Sequence, residues 1–551
     1  MGESLLNWLG DRNPQLFREL KGRLTNGKLA IAAGLSAIGQ LFLVLLYQAA
    51  LPTEPGNYSR YCGGTGNCFI DDFGDLVLNL KLWWLDLYVD LSLIGIFVLL
   101  VGGTYLLIAD LAQEEQRGTL NFVRYSPRSA SNILLGKLLG TPVLLYVVAA
   151  IAMPLHLMAG LSGGIPPLEI VEFYGILAAS CIFFYSLALL EGLVSHKLGI
   201  FQAFLGSGAV LLFLTILTLT TLNFIEPTAL DWLRLFYPGT LLPHLVKASF
   251  LPASDIGLLA NGTLDANELA KIHWYGQAIF AHGASTITFV LLNCGLWSYW
   301  VWQGLKRYFH NPGATVLSKK QSYWITGFFV VSTLGFVPPR VSSVDYLLGN
   351  FALVMLFQAM LFLILMAALS PQRQALRDWA RYRHQQGRGG LLADLLWGEK
   401  SPSTLAIALN LALITAYILP AVLIWPLGQH RLALLSGLVL FAGVILIHAA
   451  IAQLILLQRT SKRVLIATAT VGFLAVIPLI GSLFIGWATS TAPWLMFFSF
   501  IPLVATHNGS VTTMAFALLG QWLVITLVSV QMTRQLRLAG QSETRALLQG
   551  Q

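Results

Sequence analysis

The sequence predicts an all-α polytopic membrane protein of about twelve transmembrane helices. Three observations predict it. Charged residues make up only 11% of the 551 residues, against roughly 25% in soluble domains. Mean hydropathy is +0.71. Several runs carry no Asp, Glu, Lys or Arg, among them 138–168, 198–225, 272–305, 346–372 and 432–458. Each exceeds the roughly 20 apolar residues that cross a bilayer as a helix. Continuous apolar runs read as helices, because barrel strands alternate.

Taken in order, helices are expected near 29–51, 84–109, 133–157, 173–194, 200–224, 276–304, 323–338, 348–369, 403–426, 432–457, 464–487 and 511–533. The first 28 residues are polar and lack the apolar core of a cleaved signal peptide, so the first run is expected to span and stay. Twelve crossings put both termini on one side. With that side cytoplasmic, 26 of the 33 Lys and Arg fall in inner segments, as the positive-inside rule requires. Residues 464–533 hold no formal charge and lie between basic flanks, so an even number of crossings is expected there. Pro493–Thr506 then reads as a dip entering and leaving by the outer face. The net charge of +8 reports topology more than nucleic-acid binding.

The first outer loop holds Cys62 and Cys68 in "CGGTGNC". Three glycines between them close a small ring easily, and an oxidising compartment would favour a disulfide, with two free thiols as the alternative. Cys181 and Cys294 lie in apolar helices, where Cys is usually a small core residue. The loop pattern suits a bacterial inner membrane.

Motifs for chemistry within the chain are lacking. The stretch "GRLTNGKL" from Gly22 has P-loop spacing but places Leu29 where Ser or Thr must meet magnesium. No zinc-binding helix motif appears. No metal or cofactor is therefore expected in this chain. Ionisable groups in or near the spans could mark an ion-coupling site: Asp86 and Asp90, Glu191, His156 and His448. Interfacial charge and satisfied histidines explain them more simply.

A charged block, Asp110–Lys137, interrupts the apolar pattern after the second helix. Gln113–Phe122 favours helix, Ser126–Pro127 breaks it, and Ser129 or Ser131 can cap the next helix. A short helix across the cytoplasmic mouth could dock another protein, or the block could be a solvated loop.

"EEQRGTLNFVRYSPRSASNILLGKLL" resembles the loop of ABC-2 type ABC transporter permeases. In that family a Glu-Glu-x-x-Gly-Thr-Leu segment forms the coupling helix, and Ser-Pro and Leu-Gly-Lys open the third crossing. "NPQLFRELKGRL" resembles the family's interfacial helix. Leu16, Phe17, Leu20 and Leu24 fall on one face, with Arg18, Lys21 and Arg23 able to reach water and headgroups. The family's outer segment before the sixth crossing is re-entrant. Here "FYPGTLLP" would be its tip, with Pro238, Gly239 and Pro243. The resemblance covers about residues 1–305.

The family unit has six crossings and works as a pair. Asn13–Pro14 recurs as Asn311–Pro312, Ser126–Pro127 as Ser401–Pro402, and Phe236–Pro238 as Phe500–Pro502. The expected organisation is therefore two ABC-2-like six-helix halves, each with a re-entrant outer segment. Residues 1–322 form the first and 323–551 a degenerate second. The second half lacks the Glu-Glu-x-x-Gly-Thr-Leu motif, which puts the docking role of Arg377–Lys400 in question.

The resemblance implies the permease subunit of an ATP-driven exporter, with ATP and magnesium bound on separate ATPase subunits. Glu114, Glu115, Arg117, Gly118, Thr119 and Leu120 would couple to the first ATPase. Fused pseudo-dimer and homodimer are both open assemblies, and the exported substrate is not legible. The competing readings are an ion-coupled secondary transporter and a non-transporting membrane scaffold.

Overall fold

The computed structural model describes the chain except residues 1–9, 57–58, 64–67, 196–198, 224–225, 250–263, 339–342, 387–389, 426, 485–492, 507–509 and 541–551. The regular structure of the described residues is all helical, apart from isolated bridges such as Cys62 with Leu78 and Ile70 with Leu76. Nine described helices are long and apolar enough to cross a membrane, the architecture of a multi-pass membrane protein. The chain forms two compact units, which divide at His310/Asn311 apart from two short exchanged segments.

In unit 1, α1 is Pro14–Arg23 and α2 is Asn26–Ala49. Asn13 caps α1, its Oδ1 accepting from Leu16 N at 2.9 Å, and Pro14 supplies the first helical residue. The second crossing, α3, runs unbroken over Leu80–Gln116. Its middle, Val98–Gly102, widens into one π-helical turn. Such a turn loosens the carbonyl ladder; Tyr185 Oη donates to Leu99 O at 2.8 Å. The ring lies where a Cβ on Gly103 would stand, within 2.2 Å.

Gly118 ends the charged segment beyond α3. Its φ of +70° lies in the left-handed region that glycine enters without penalty. A six-residue helix, α4 (Thr119–Arg124), follows. Ser129 then caps α5 (Ala130–Gly140). The third crossing, expected as one helix over 133–157, is two: after α5 the chain breaks at Thr141–Pro142 and restarts as α6 (Val143–Ser162). Unit 1 continues with α7 (Pro167–Val194), α8 (Phe201–Leu222), the short α9 (Leu242–Ala248) and α10 (Gly283–His310).

The segment before α10 is not a spanning helix. Pro238–Leu241 form a tight turn leading into α9, and Tyr237 through Val246 are buried. Pro238, Gly239 and Pro243 all lie in this buried stretch. Asn293 of α10 donates to Leu235 O at 3.3 Å, and Thr286 meets His244 Nε2 at 3.1 Å. These bonds satisfy irregular backbone and side chains away from water.

Unit 2 holds α11 (Lys319–Leu334), α12 (Val344–Leu369), α13 (Arg373–Gln386), α14 (Leu391–Trp397), α15 (Thr404–Ile424), α16 (Arg431–Leu456), α17 (Arg463–Phe484) and α18 (Val511–Gly540). A full capping box, Ser318 with Gln321, starts α11. Between α17 and α18 the described chain makes two four-residue helices, Pro493–Met496 and Leu503–Thr506, and no crossing helix. Thr506 donates to Ala433 O at 2.8 Å, which ties the second of them to α16.

Candidate functional site

The charged block folds into two parts with opposite fates. One part turns inward. Lys137 of α5 is fully buried, and its Nζ lies 2.6 Å from Asp110 Oδ2, 2.8 Å from Glu114 Oε2 and 3.6 Å from Glu19 Oε1. Arg23 reaches Asp110 at 2.6 Å and Glu19 at 3.1 Å, and Arg18 pairs with Glu114. Three carboxylates thus meet three cations, which offsets the cost of burying Lys137 and the carboxylates. Glu19, Asp110 and Glu114 each bring an oxygen within 4.8 Å of the others, but the Lys137 ammonium already contacts all three. Partial burial opposes the charge on Arg18, and Glu114 and Glu19 beside it outweigh that, holding its guanidinium above its ordinary pKa.

Close helix packing sets this geometry. A Cβ on Gly136 would stand 2.7 Å from Leu16 N, and one on Gly140 2.5 Å from Glu19 Cβ. Two glycines one turn apart therefore let α1 lie directly on α5. Asn13 Nδ2 donates to Asn132 O at 2.8 Å, and Asn132 Nδ2 to Arg12 O at 3.0 Å.

The interfacial helix departs from expectation here. Its most buried residues are Gln15 and Glu19, while Leu16, Phe17, Leu20 and Leu24 are only half-buried. Arg23, expected to reach water and headgroups, turns to Asp110 and Glu19; Arg18 pairs with Glu114 yet stays exposed, as does Lys21.

The other part turns outward. On α4, Leu120 and Val123 enter a core with Ile108, Leu111, Leu305 and Phe309. Arg124 lies over the Phe309 ring at 6.0 Å and 3.9 Å from Glu115. Thr119 Oγ1 donates to Glu114 O at 3.2 Å, closing the turn. The opposite face presents Phe122 and Tyr125, 83% and 88% exposed, with Arg117, Gly118 and Thr119 exposed beside them.

Of the six residues singled out from sequence, Glu114 and Leu120 are thus buried within the fold, Glu115 is half-buried, and Arg117, Gly118 and Thr119 face outward. Sequence reasoning passed over Phe122, Tyr125 and Lys137. Two aromatics in a short polar loop were the available signal for the first two, since soluble surfaces seldom hold such residues without use.

Among the remaining candidates Asp86, Asp90, His156 and His448 have close polar partners. Asp86 meets Arg60 and Tyr61 Oη, both at 2.9 Å, and Asp90 accepts from Tyr47 Oη at 2.6 Å. Arg60 and Tyr61 belong to the loop between α2 and α3, where Cys62 and Cys68 are joined as a disulfide. His156 has Ser92 Oγ at 2.8 Å on one ring nitrogen and Tyr174 Oη at 2.7 Å on the other. His448 Nδ1 lies 2.7 Å from Val444 O, and Glu191 lies against Gly206. In the "GRLTNGKL" stretch, α1 ends and α2 begins, and Lys28 Nζ donates to Gly22 O at 2.9 Å. That glycine's carbonyl, not a ring of amides, is what the lysine meets.

No family model, curated protein or solved structure matches the chain.

Proposed function

We propose that this chain is the membrane-spanning subunit of an ATP-driven exporter, docking separate ATPase subunits through α4. The observation that carries this reading is the pair Phe122 and Tyr125. Phe122 stands almost fully exposed on α4 and Tyr125 at its C-terminal cap, while the helix's other face is locked into the core. Exposed aromatics on a rigid support are the usual anchors of protein interfaces. The charged anchor behind them ties α1, α3 and α5 together. A push on α4 would therefore pass into the second and third crossings as one body. ATP and magnesium would be bound by the partner, and this chain would supply the passage.

In this reading the chain makes twelve crossings in two six-helix halves, with both termini in the cytoplasm of a bacterial cell. Asp86, Asp90 and His156 are held by neighbours, which favours ATP coupling over an ion-coupled carrier working through them. The test is affinity purification of the tagged chain from its native cells in mild detergent, beside Phe122→Ser/Tyr125→Ser. Both side chains are exposed, so the variant keeps its fold. A P-loop ATPase that accompanies the wild type and is lost from the variant supports the proposal. An ATPase retained equally by both refutes docking through α4.

A further inference from the structure

Unit 2 carries a cluster of arginines at its polar end. Arg373 opens α13, and its Nε donates to Leu457 O, just past the end of α16, at 3.0 Å. That bond draws α13 against the 458–463 turn and the start of α17, Arg463. Arg377, Arg459 and Arg463 then lie close enough to Arg373 to act on its charge. Desolvation and these three like charges hold its guanidinium below its ordinary pKa. Among the described residues no carboxylate pairs with Arg373, Arg459 or Arg463. The nearest acid on α13, Asp378, accepts from Gln374.

Mutual repulsion of this kind is unfavourable unless an anion relieves it. The surroundings say which anion. Directly beyond Arg463 the surface of α17 is apolar and open: Val464, Leu465 and Ile466 are exposed, and Phe473 and Val476 continue the face. Guanidinium groups above an exposed apolar helix face match a phosphate group above acyl chains. An acidic protein would meet only the upper half of that surface.

We propose that Arg373, Arg377, Arg459 and Arg463 form a binding site for the phosphate of an anionic phospholipid, whose acyl chains lie along the open face of α17. Guanidinium forks suit phosphate oxygens, and basic side chains beside a membrane surface attract anionic lipid additively. The site is independent of α4 and of any ATPase.

The test is native mass spectrometry of the full chain in detergent with added phosphatidylglycerol, with phosphatidylcholine of the same acyl chains, or with inorganic phosphate. Arg459→Gln/Arg463→Gln leaves the Arg373–Leu457 bond in place and so keeps the fold. Arg534→Gln/Arg537→Gln, on exposed positions of α18, removes equal charge elsewhere. Wild type and the α18 variant should retain phosphatidylglycerol over phosphatidylcholine by on the order of tenfold, and Arg459→Gln/Arg463→Gln should lose that preference. Equal retention of the two lipids, or equal loss in both variants, overturns the site. So does binding of free phosphate as strongly as of the lipid, or an acidic protein held through Arg459 and Arg463.

Discussion

The ammonium of Lys137 lies 2.6 Å from Asp110 Oδ2, across 27 residues of sequence and with no exposure to solvent. Around this pair charge ties the N-terminal helix to the second crossing and the short α5, which also share an apolar core with each other. Removing the cation would leave Asp110, Glu114 and Glu19 facing one another. Lys137→Met should therefore lower stability by about 3–5 kcal/mol, read as the thermal midpoint of tryptophan fluorescence in detergent. Lys137→Met/Asp110→Asn should recover part of the loss. A single variant as stable as wild type would show that the network contributes little.

The close approach of α1 to α5 gives a second expectation. Gly140→Val would force a side chain into Glu19, and Gly136→Ala would press on the Leu16 backbone. Overpacking of this kind costs about 1–3 kcal/mol. Release of α1 should appear as faster tryptic cleavage at Arg12, Arg18 and Arg23. Gly22→Ala meets nothing within 4 Å and should cleave like wild type.

Lys319, at the first residue of α11, gives a pH signature in unit 2. Its Nζ donates to Leu395 O and Ser401 Oγ, each at 2.6 Å, and to Pro402 O at 3.0 Å. Burial pushes its pKa down to about 8, against the pull of Asp394. An unfolded lysine titrates near 10.4. Between these values the unfolded chain holds the proton and the folded chain releases it, so stability from this group rises with pH. Below about pH 8 both forms are charged and the burial penalty is present in full. The midpoint of wild type should thus gain on that of Lys319→Met as pH goes from 8 to 10. A constant difference over that range would contradict the shift.

Much of the helix layout was legible because lipid-crossing helices must be apolar along their whole length, and the charge-free runs mark them. The cap of α5 was legible as local chemistry, Ser129 being one of two candidates; the stop at Gly118 was not, since Gln113–Phe122 read as one helix. The break at Thr141–Pro142 was not. Proline alone does not mark it, since Pro154, Pro420 and Pro478 lie inside continuous helices. The inward turn of Arg23 and Glu114 was hidden for another reason. An amphipathic pattern shows which face of α1 is apolar, and the apolar face looked like the buried one. What decides the packing is the gap left by Gly136 and Gly140, more than a hundred residues away, into which Gln15 and Glu19 fit. The exposure of Phe122 and Tyr125 likewise depends on which face of α4 the core at Leu305 and Phe309 takes up.

The most direct measurement is photo-crosslinking in native cells from a benzoylphenylalanine placed at position 122, with the same probe at position 120 as the buried control. The proposed function predicts a crosslink from 122 to a P-loop ATPase, and none from 120. Crosslinks from 122 to lipid alone, or to no ATPase in cells that express their full set, would contradict docking through α4.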